Sequence, residues 1–287
     1  MKAALNDYLI LTKVRITALV LVTAAAGFLL ASGSAPDLAL LAWTLLGTGL
    51  AASGAAALNQ VVEREADAKM RRTESRPIPA GRMSVARGRA VGIGLSVAGV
   101  GLLSATVNLL TAILALVTVL LYVAVYTPLK RMTPLNTIVG AIPGAIPPVM
   151  GWTAVTGSLG LPAWVLFAIL FLWQLPHFLA IAWIFRDDYR RGGFPMLPVV
   201  DPGGEATGRQ VALYCAALVP VSLVPTLLGL TGPVYFFGAL VLGIGFLSAG
   251  VMMALHRRGS EARRVLLASV TYLPLLLALL VVDRAPI

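Results

Sequence analysis

The chain has 287 residues, of which 59% are hydrophobic and only 12% charged. That charged share is about half of what a soluble domain carries, which excludes an ordinary soluble enzyme. The net charge of +10 comes from 22 Lys and Arg against 12 acids. Long unbroken apolar runs argue for helices of about 20 residues crossing a bilayer, and against the short alternating strands of a membrane barrel. The chain therefore reads as all-α: a single polytopic integral-membrane domain over residues 1–287 with nine transmembrane helices.

In chain order the spans are expected near 16–33, 38–62, 90–107, 109–127, 135–156, 161–185, 209–230, 232–255 and 264–282. The first is read as a retained helix, because Asp7 in the segment before it does not suit a signal peptide. The third and fourth are joined by little more than Asn108, and Pro143, Pro147 and Pro148 should bend the fifth. Small residues such as Gly47, Gly49, Gly92, Gly94, Gly140 and Gly144 let helices approach closely. With this layout 21 of the 22 basic residues fall at one end, leaving only Arg284 at the other. The basic surplus thus reads as a topology signal and not as nucleic-acid binding; by the positive-inside rule the N-terminus and even-numbered loops are cytoplasmic and the C-terminus lies outside. Cys215 is the only cysteine, so no disulfide or Cys-based metal site exists, and two histidines do not make a His-rich centre.

Eight of the 12 acids fall in two segments of that cytoplasmic end. In the first, Asn59, Glu63 and Asp67 repeat every four residues and stack on one helical face. Three oxygen-bearing side chains with no lysine on their stripe repel unless a cation joins them, and Mg2+ suits such ligands. On the spacing alone, a solvated polar helix end is the favoured reading. The basic run that follows, with Lys69, Arg72 and Arg76, tips the balance toward a metal and diphosphate site. The second segment holds Asp187 and Asp188 directly after a span, a weak signal alone. His177 lies inside the sixth span beside Pro176. A polar residue there is a functional candidate, against the bland reading of a histidine bonded to a carbonyl that the proline frees.

Several stretches together resemble the UbiA superfamily of intramembrane prenyltransferases: Leu11 to Arg15, Asn59 to Gly81, Tyr126 to Asn136, and Trp173 to Pro198 with its Pro176-His177-Phe178 and Asp187-Asp188-Tyr189. Within it, the branch that farnesylates protoheme is the most similar. The resemblance implies nine helices around a central cavity open to lipid. It implies transfer of a farnesyl group from farnesyl diphosphate to the 2-vinyl group of protoheme IX, with heme O and diphosphate as products. It also implies Mg2+ held by Asn59, Glu63 and Asp67 with Asp187 and Asp188, in a bacterial-type inner membrane. Lys69, Arg72, Arg76, Lys130 and Arg131 are the candidate diphosphate contacts, Asn136 a further substrate-binding candidate, and His177 the candidate heme contact. Handover of product to a downstream heme-modifying enzyme is a further expected partnership. Glu63 stands where the family usually has Asp, Ile184 where it often has another acid, and Val14 where proline is common. An aromatic quinone precursor as acceptor is one alternative. A transporter is another, disfavoured because its ionisable residues would lie near the midplane of several helices.

Overall fold

A computed structural model describes residues 2–285. Among them nine helices are long and apolar enough to cross a bilayer: α1 (Val14–Ala31), α2 (Leu38–Asp67), α3 (Val85–Thr106), α4 (Leu109–Leu129), α5 (Asn136–Thr156), α6 (Leu161–Ile184), α7 (Glu205–Leu227), α8 (Pro233–His256) and α9 (Gly259–Val282). Short helices Lys2–Leu11, Arg186–Arg191 and Leu197–Val200 lie outside the spans. The protein is thus an all-helical integral-membrane protein.

Most expected ends fall within a few residues of these bounds. The larger differences share a direction: α2 runs on to Asp67, while α3, α7 and α9 start at Val85, Glu205 and Gly259. Charge ends a hydrophobic run without ending a helix. The caps decide instead: Asp37 accepts from the Ala39 and Leu40 amides to open α2, and Ser84 accepts from Arg87 to open α3. Only Val107 and Asn108 separate α3 from α4. Asn108 Oδ1 caps the Thr111 amide while its Nδ2 donates to Thr153 O on α5. α5 runs unbroken across all three of its prolines.

Each span packs on the next in chain order, and α9 returns to α1, closing a ring; α1 also crosses onto α5, and α9 onto α6. The largest apolar core fills the space among α6, α7, α8 and α9. The even-numbered connections meet at one end with the N-terminal helix. Asp7 pairs there with Arg82, and Arg257 with Glu205. A separate apolar cluster, with Met70 from one connection and Tyr189, Phe194 and Met196 from another, fastens two of these segments together.

α2 and α3 touch through their backbones. A Cβ on Gly99 would lie 2.5 Å from the Ala51 nitrogen, whereas nothing lies within 4 Å of one on Gly94. Gly99→Ala should therefore lower the unfolding free energy in detergent by about 1–3 kcal/mol. Gly94→Ala should leave it unchanged, and equal thermal stability of the two variants would contradict this packing.

Candidate functional site

The acid stripe of α2 is helical to its last member. Asn59, Glu63 and Asp67 are all buried on one face. Each is met by a cation from a different segment. Lys13 Nζ donates to Asn59 Oδ1 at 2.8 Å, Lys130 Nζ to Glu63 Oε1 at 2.7 Å, and Arg76 Nη1 to Asp67 Oδ2 at 2.7 Å. Asn59 Nδ2 donates in turn to Thr127 Oγ1 at 3.1 Å, and Thr73 Oγ1 to the Asp67 carbonyl at 2.9 Å. The lysine that the stripe itself lacks is thus supplied by the chain on either side of it.

Local backbone explains why those cations arrive. Lys13 sits at φ 50, a left-handed joint between the N-terminal helix and α1. Gln60 anchors that joint by donating to the Ile10 and Leu11 carbonyls. At the end of α4 the helix widens into a π turn over Leu121–Tyr126, with the Thr127 amide reaching the Tyr122 carbonyl. Such wide turns are often found at functional sites. Gly140 on α5 makes room for it: a Cβ there would lie 2.4 Å from the Tyr126 ring. The turn carries Tyr122 and Tyr126, whose rings sit 5.4 Å apart.

Aromatic rings roof the cations. Lys130 Nζ lies 5.4 Å from the Tyr126 ring and 4.9 Å from that of Phe194, while Lys13 Nζ is 6.0 Å from Tyr122. Arg72 stands 4.9 Å from Phe185 and 5.2 Å from Tyr189, and donates to the Tyr189 hydroxyl at 3.1 Å. Burial, with the Arg76 guanidinium adding to it, pulls the Lys13 ammonium down to about 7. Burial acts against the Lys130 charge too, yet the Glu63 carboxylate outweighs it and holds that ammonium above its usual range.

Three basic side chains, Lys13, Arg76 and Lys130, thus meet the amide and two carboxylates of the stripe, while Arg72 is held against Phe185 and Tyr189. This surplus of positive charge suits a polyanionic ligand. Asp67 Oδ1 is buried and has no hydrogen-bond donor. An unpartnered carboxylate oxygen beside Glu63 and an amide is a hard-oxygen donor set that fits Mg2+. That ion commonly takes one or two carboxylates and completes its shell with phosphate and water.

The other expected residues are placed differently. Asp188 accepts from the Arg71 amide at 3.2 Å and pairs with Arg191, tying the two acid-bearing segments together. Asp187 points away: its side chain is 70% exposed and pairs with Arg190. Among the described residues no three acidic, histidine or cysteine side chains gather as a metal cluster. The side chains of the second motif make separate contacts, Asp188 with the Arg71 amide and Arg191, and Asp187 with Arg190. Lys69 and Arg131 are exposed. Asn136 is buried but donates to the Thr133 carbonyl at 2.6 Å, at the start of α5.

His177 lies apart, on the α6–α9 seam, stacked 4.9 Å from Trp173. Its Nδ1 is 2.7 Å from Ser269 Oγ, which donates to the Leu266 carbonyl at 2.6 Å. The partner is thus a hydroxyl on α9 and not a carbonyl freed by Pro176. Because the Ser269 proton is committed, the network assigns the imidazole proton to Nδ1 and leaves a lone pair on Nε2. The residues that composition and spacing did not single out are Lys13, Tyr122, Tyr126 and Thr127. The legible signal for them was local: a lysine at a span boundary, and two tyrosines one turn apart before Thr127-Pro128.

Residues 20–281 match the UbiA prenyltransferase family. The chain belongs to that family. It is 51% identical over 289 residues to the protoheme IX farnesyltransferase of Solibacter usitatus (strain Ellin6076), covering 98% of this chain and 99% of that protein. It is 50% identical over 277 residues to the protoheme IX farnesyltransferase of Salinibacter ruber (strain DSM 13855 / M31), covering 96% and 98%. The UbiA fold is shared with a solved structure concerned with digeranylgeranylglyceryl phosphate synthase, at a TM-score of 0.82 and 18% identity over 97% of this chain and 98% of that one. A UbiA homolog from Archaeoglobus fulgidus, bound to GPP and Mg2+, aligns at a TM-score of 0.67 and 15% identity over 96% and 99%.

The Lys130–Glu63 pair is largely shielded from solvent, with side chains 13% and 5% exposed. Removing one partner of such a pair strands the other charge, at a cost of about 3–5 kcal/mol. Lys130→Met should lower stability by that order in chemical denaturation, and adding Glu63→Gln should restore part of it. Additive losses would show that the two groups are uncoupled.

Proposed function

We propose that the chain transfers the farnesyl group of farnesyl diphosphate to the 2-vinyl group of protoheme IX, giving heme O and diphosphate. The observation that carries the diphosphate half is the buried cluster on α2, with its cationic surplus and the orphaned Asp67 Oδ1. The acceptor half rests on likeness to the protoheme IX farnesyltransferases, near half identity over almost the whole chain.

Lys13, Lys130, Arg72 and Arg76 bind the diphosphate and carry its charge as the allylic C–O bond breaks. Asn59, Glu63 and Asp67 hold Mg2+, which when bound adds Lewis-acid stabilisation of the leaving group. The rings of Tyr122, Tyr126 and Phe194 line the cations, and their electron-rich faces suit the developing allylic cation. The vinyl carbon attacks, and water adds to the resulting porphyrin-side cation with loss of one proton to solvent. The Met70, Tyr189, Phe194 and Met196 cluster packs beside Lys130 and limits bulk water near the cations. His177 Nε2 orients the heme from deeper in α6. At 1.5 Å per residue it lies about 15 Å below Asp187, a depth that suits a large planar acceptor. The bilayer is a bacterial-type inner membrane, with the acid motifs on the cytoplasmic side.

Membranes containing the protein, given farnesyl diphosphate and heme, should yield heme O by mass spectrometry. Farnesylation of 4-hydroxybenzoate but not of heme would reject the porphyrin acceptor. Asp67→Asn and Glu63→Gln should each lower turnover by at least about a hundredfold, the loss typical of a stabilising group at the reacting charge, while the proteins stay inserted. Near-normal activity with Mg2+ would remove that residue from the metal site. His177→Ala should weaken heme binding and spare farnesyl diphosphate binding, and unchanged heme affinity and turnover would dismiss its role. A cysteine introduced at Ser75 should react with an impermeant reagent only once the cytoplasmic face is opened. Labelling in intact cells would invert the topology.

A further inference from the structure

We propose that a second, arginine-lined hollow at the same end of the bundle holds the phosphate headgroup of an anionic phospholipid. The hollow encloses about 440 Å³ between the end of α6, the turn at 202–203 and the start of α9. Trp183 walls it, Arg186, Arg257 and Arg263 line it, and Asp187 is its only acid. It is distinct from the α2 cluster, because Phe185 and Tyr189 turn toward Arg72 whereas Trp183 and Asp187 face the hollow.

The charge in the hollow is unbalanced. Asp187 is committed to Arg190 at 2.9 Å, and Arg257 shares Glu205 at 2.9 Å. The Arg186 guanidinium lies 5.1 Å from the Trp183 ring. Among the described residues neither it nor Arg263 has a carboxylate partner. Topology alone puts arginines at this end of the molecule, but it does not gather them around a concave space with a tryptophan wall.

The surface below the hollow selects a lipid over a free ion. Leu267 and Val270 follow Arg263 by four and seven residues, so they lie beneath it on one stripe of α9. They are 65% and 47% exposed. The arginines thus cap an aliphatic face that only acyl chains cover in a membrane. Basic pockets between membrane helices at this level are suited to anionic headgroups. Inorganic phosphate would use the arginines and leave the stripe unused.

Native mass spectrometry of the detergent-purified full chain, titrated with phosphatidylglycerol or phosphatidylcholine, tests this. The protein should retain phosphatidylglycerol preferentially. Each arginine at such a surface accounts for about a fivefold change in affinity, so Arg257→Ala with Arg263→Ala should weaken retention about thirtyfold. Arg87→Ala with Arg89→Ala, on the exposed start of α3 at the same end, should change nothing. Farnesyl transfer in detergent should be kept by both double variants. If the hollow's double variant does not fold, Arg263→Gln alone should still show the fivefold step. Four results would overturn the assignment: equal retention of the two lipids, retention that survives loss of the hollow's arginines, equal loss in the Arg87 and Arg89 variant, or inorganic phosphate binding as tightly as the lipid.

Discussion

Burying two carboxylates and an amide at the end of a membrane helix is the constraint around which the rest is arranged. An isolated charge taken out of water costs several kcal/mol, so each member of the α2 stripe needs a partner. The neighbouring sequence cannot supply one on the same face. The partners come instead from the joint before α1, the connection after α2 and the end of α4. Three otherwise separate segments are thereby fixed to one helix. The local irregularities of the fold serve that convergence: a left-handed lysine, a π turn and a glycine opposite a tyrosine.

The same interactions that stabilise the site shape its chemistry. Pairing leaves the cations in excess and one oxygen of Asp67 unsatisfied, so the site is held together yet still short of negative charge. On the proposed reading, a ligand that brings phosphate oxygens and a divalent ion completes what the protein leaves open. The aromatic faces beside Lys13, Lys130 and Arg72 cost no charge of their own and keep the cations oriented while the site is empty of substrate.

Much of this was legible in the sequence. Apolar runs and the one-sided basic residues located nine spans, and the four-residue spacing of Asn59, Glu63 and Asp67 put them on one buried face. Span ends were less legible, since α2, α3, α7 and α9 carry charged residues within their terminal turns. Spacing within one helix also says nothing of what packs on it. Lys13 and Lys130 reach Asn59 and Glu63 from 46 and 67 residues away, a pairing set by tertiary structure alone. The placement of Asp187 was illegible for the converse reason. Adjacent acids on a short helix point in different directions, so one of the pair ties down a loop while its neighbour faces solvent.

The length of α2 has a consequence of its own. Its 30 residues extend about 45 Å, well beyond the roughly 30 Å of a hydrocarbon core, and the stripe occupies the overhanging end. With the diphosphate bound at the stripe as proposed, its charged head never has to enter oil, and the prenyl tail never has to leave it. The severed diphosphate finds itself at the water boundary, while the alkylated porphyrin, now greasier than before, stays in the leaflet. Product separation is then driven by partitioning: the two halves of the spent substrate depart into different phases, and the reverse reaction loses one of its reactants to dilution.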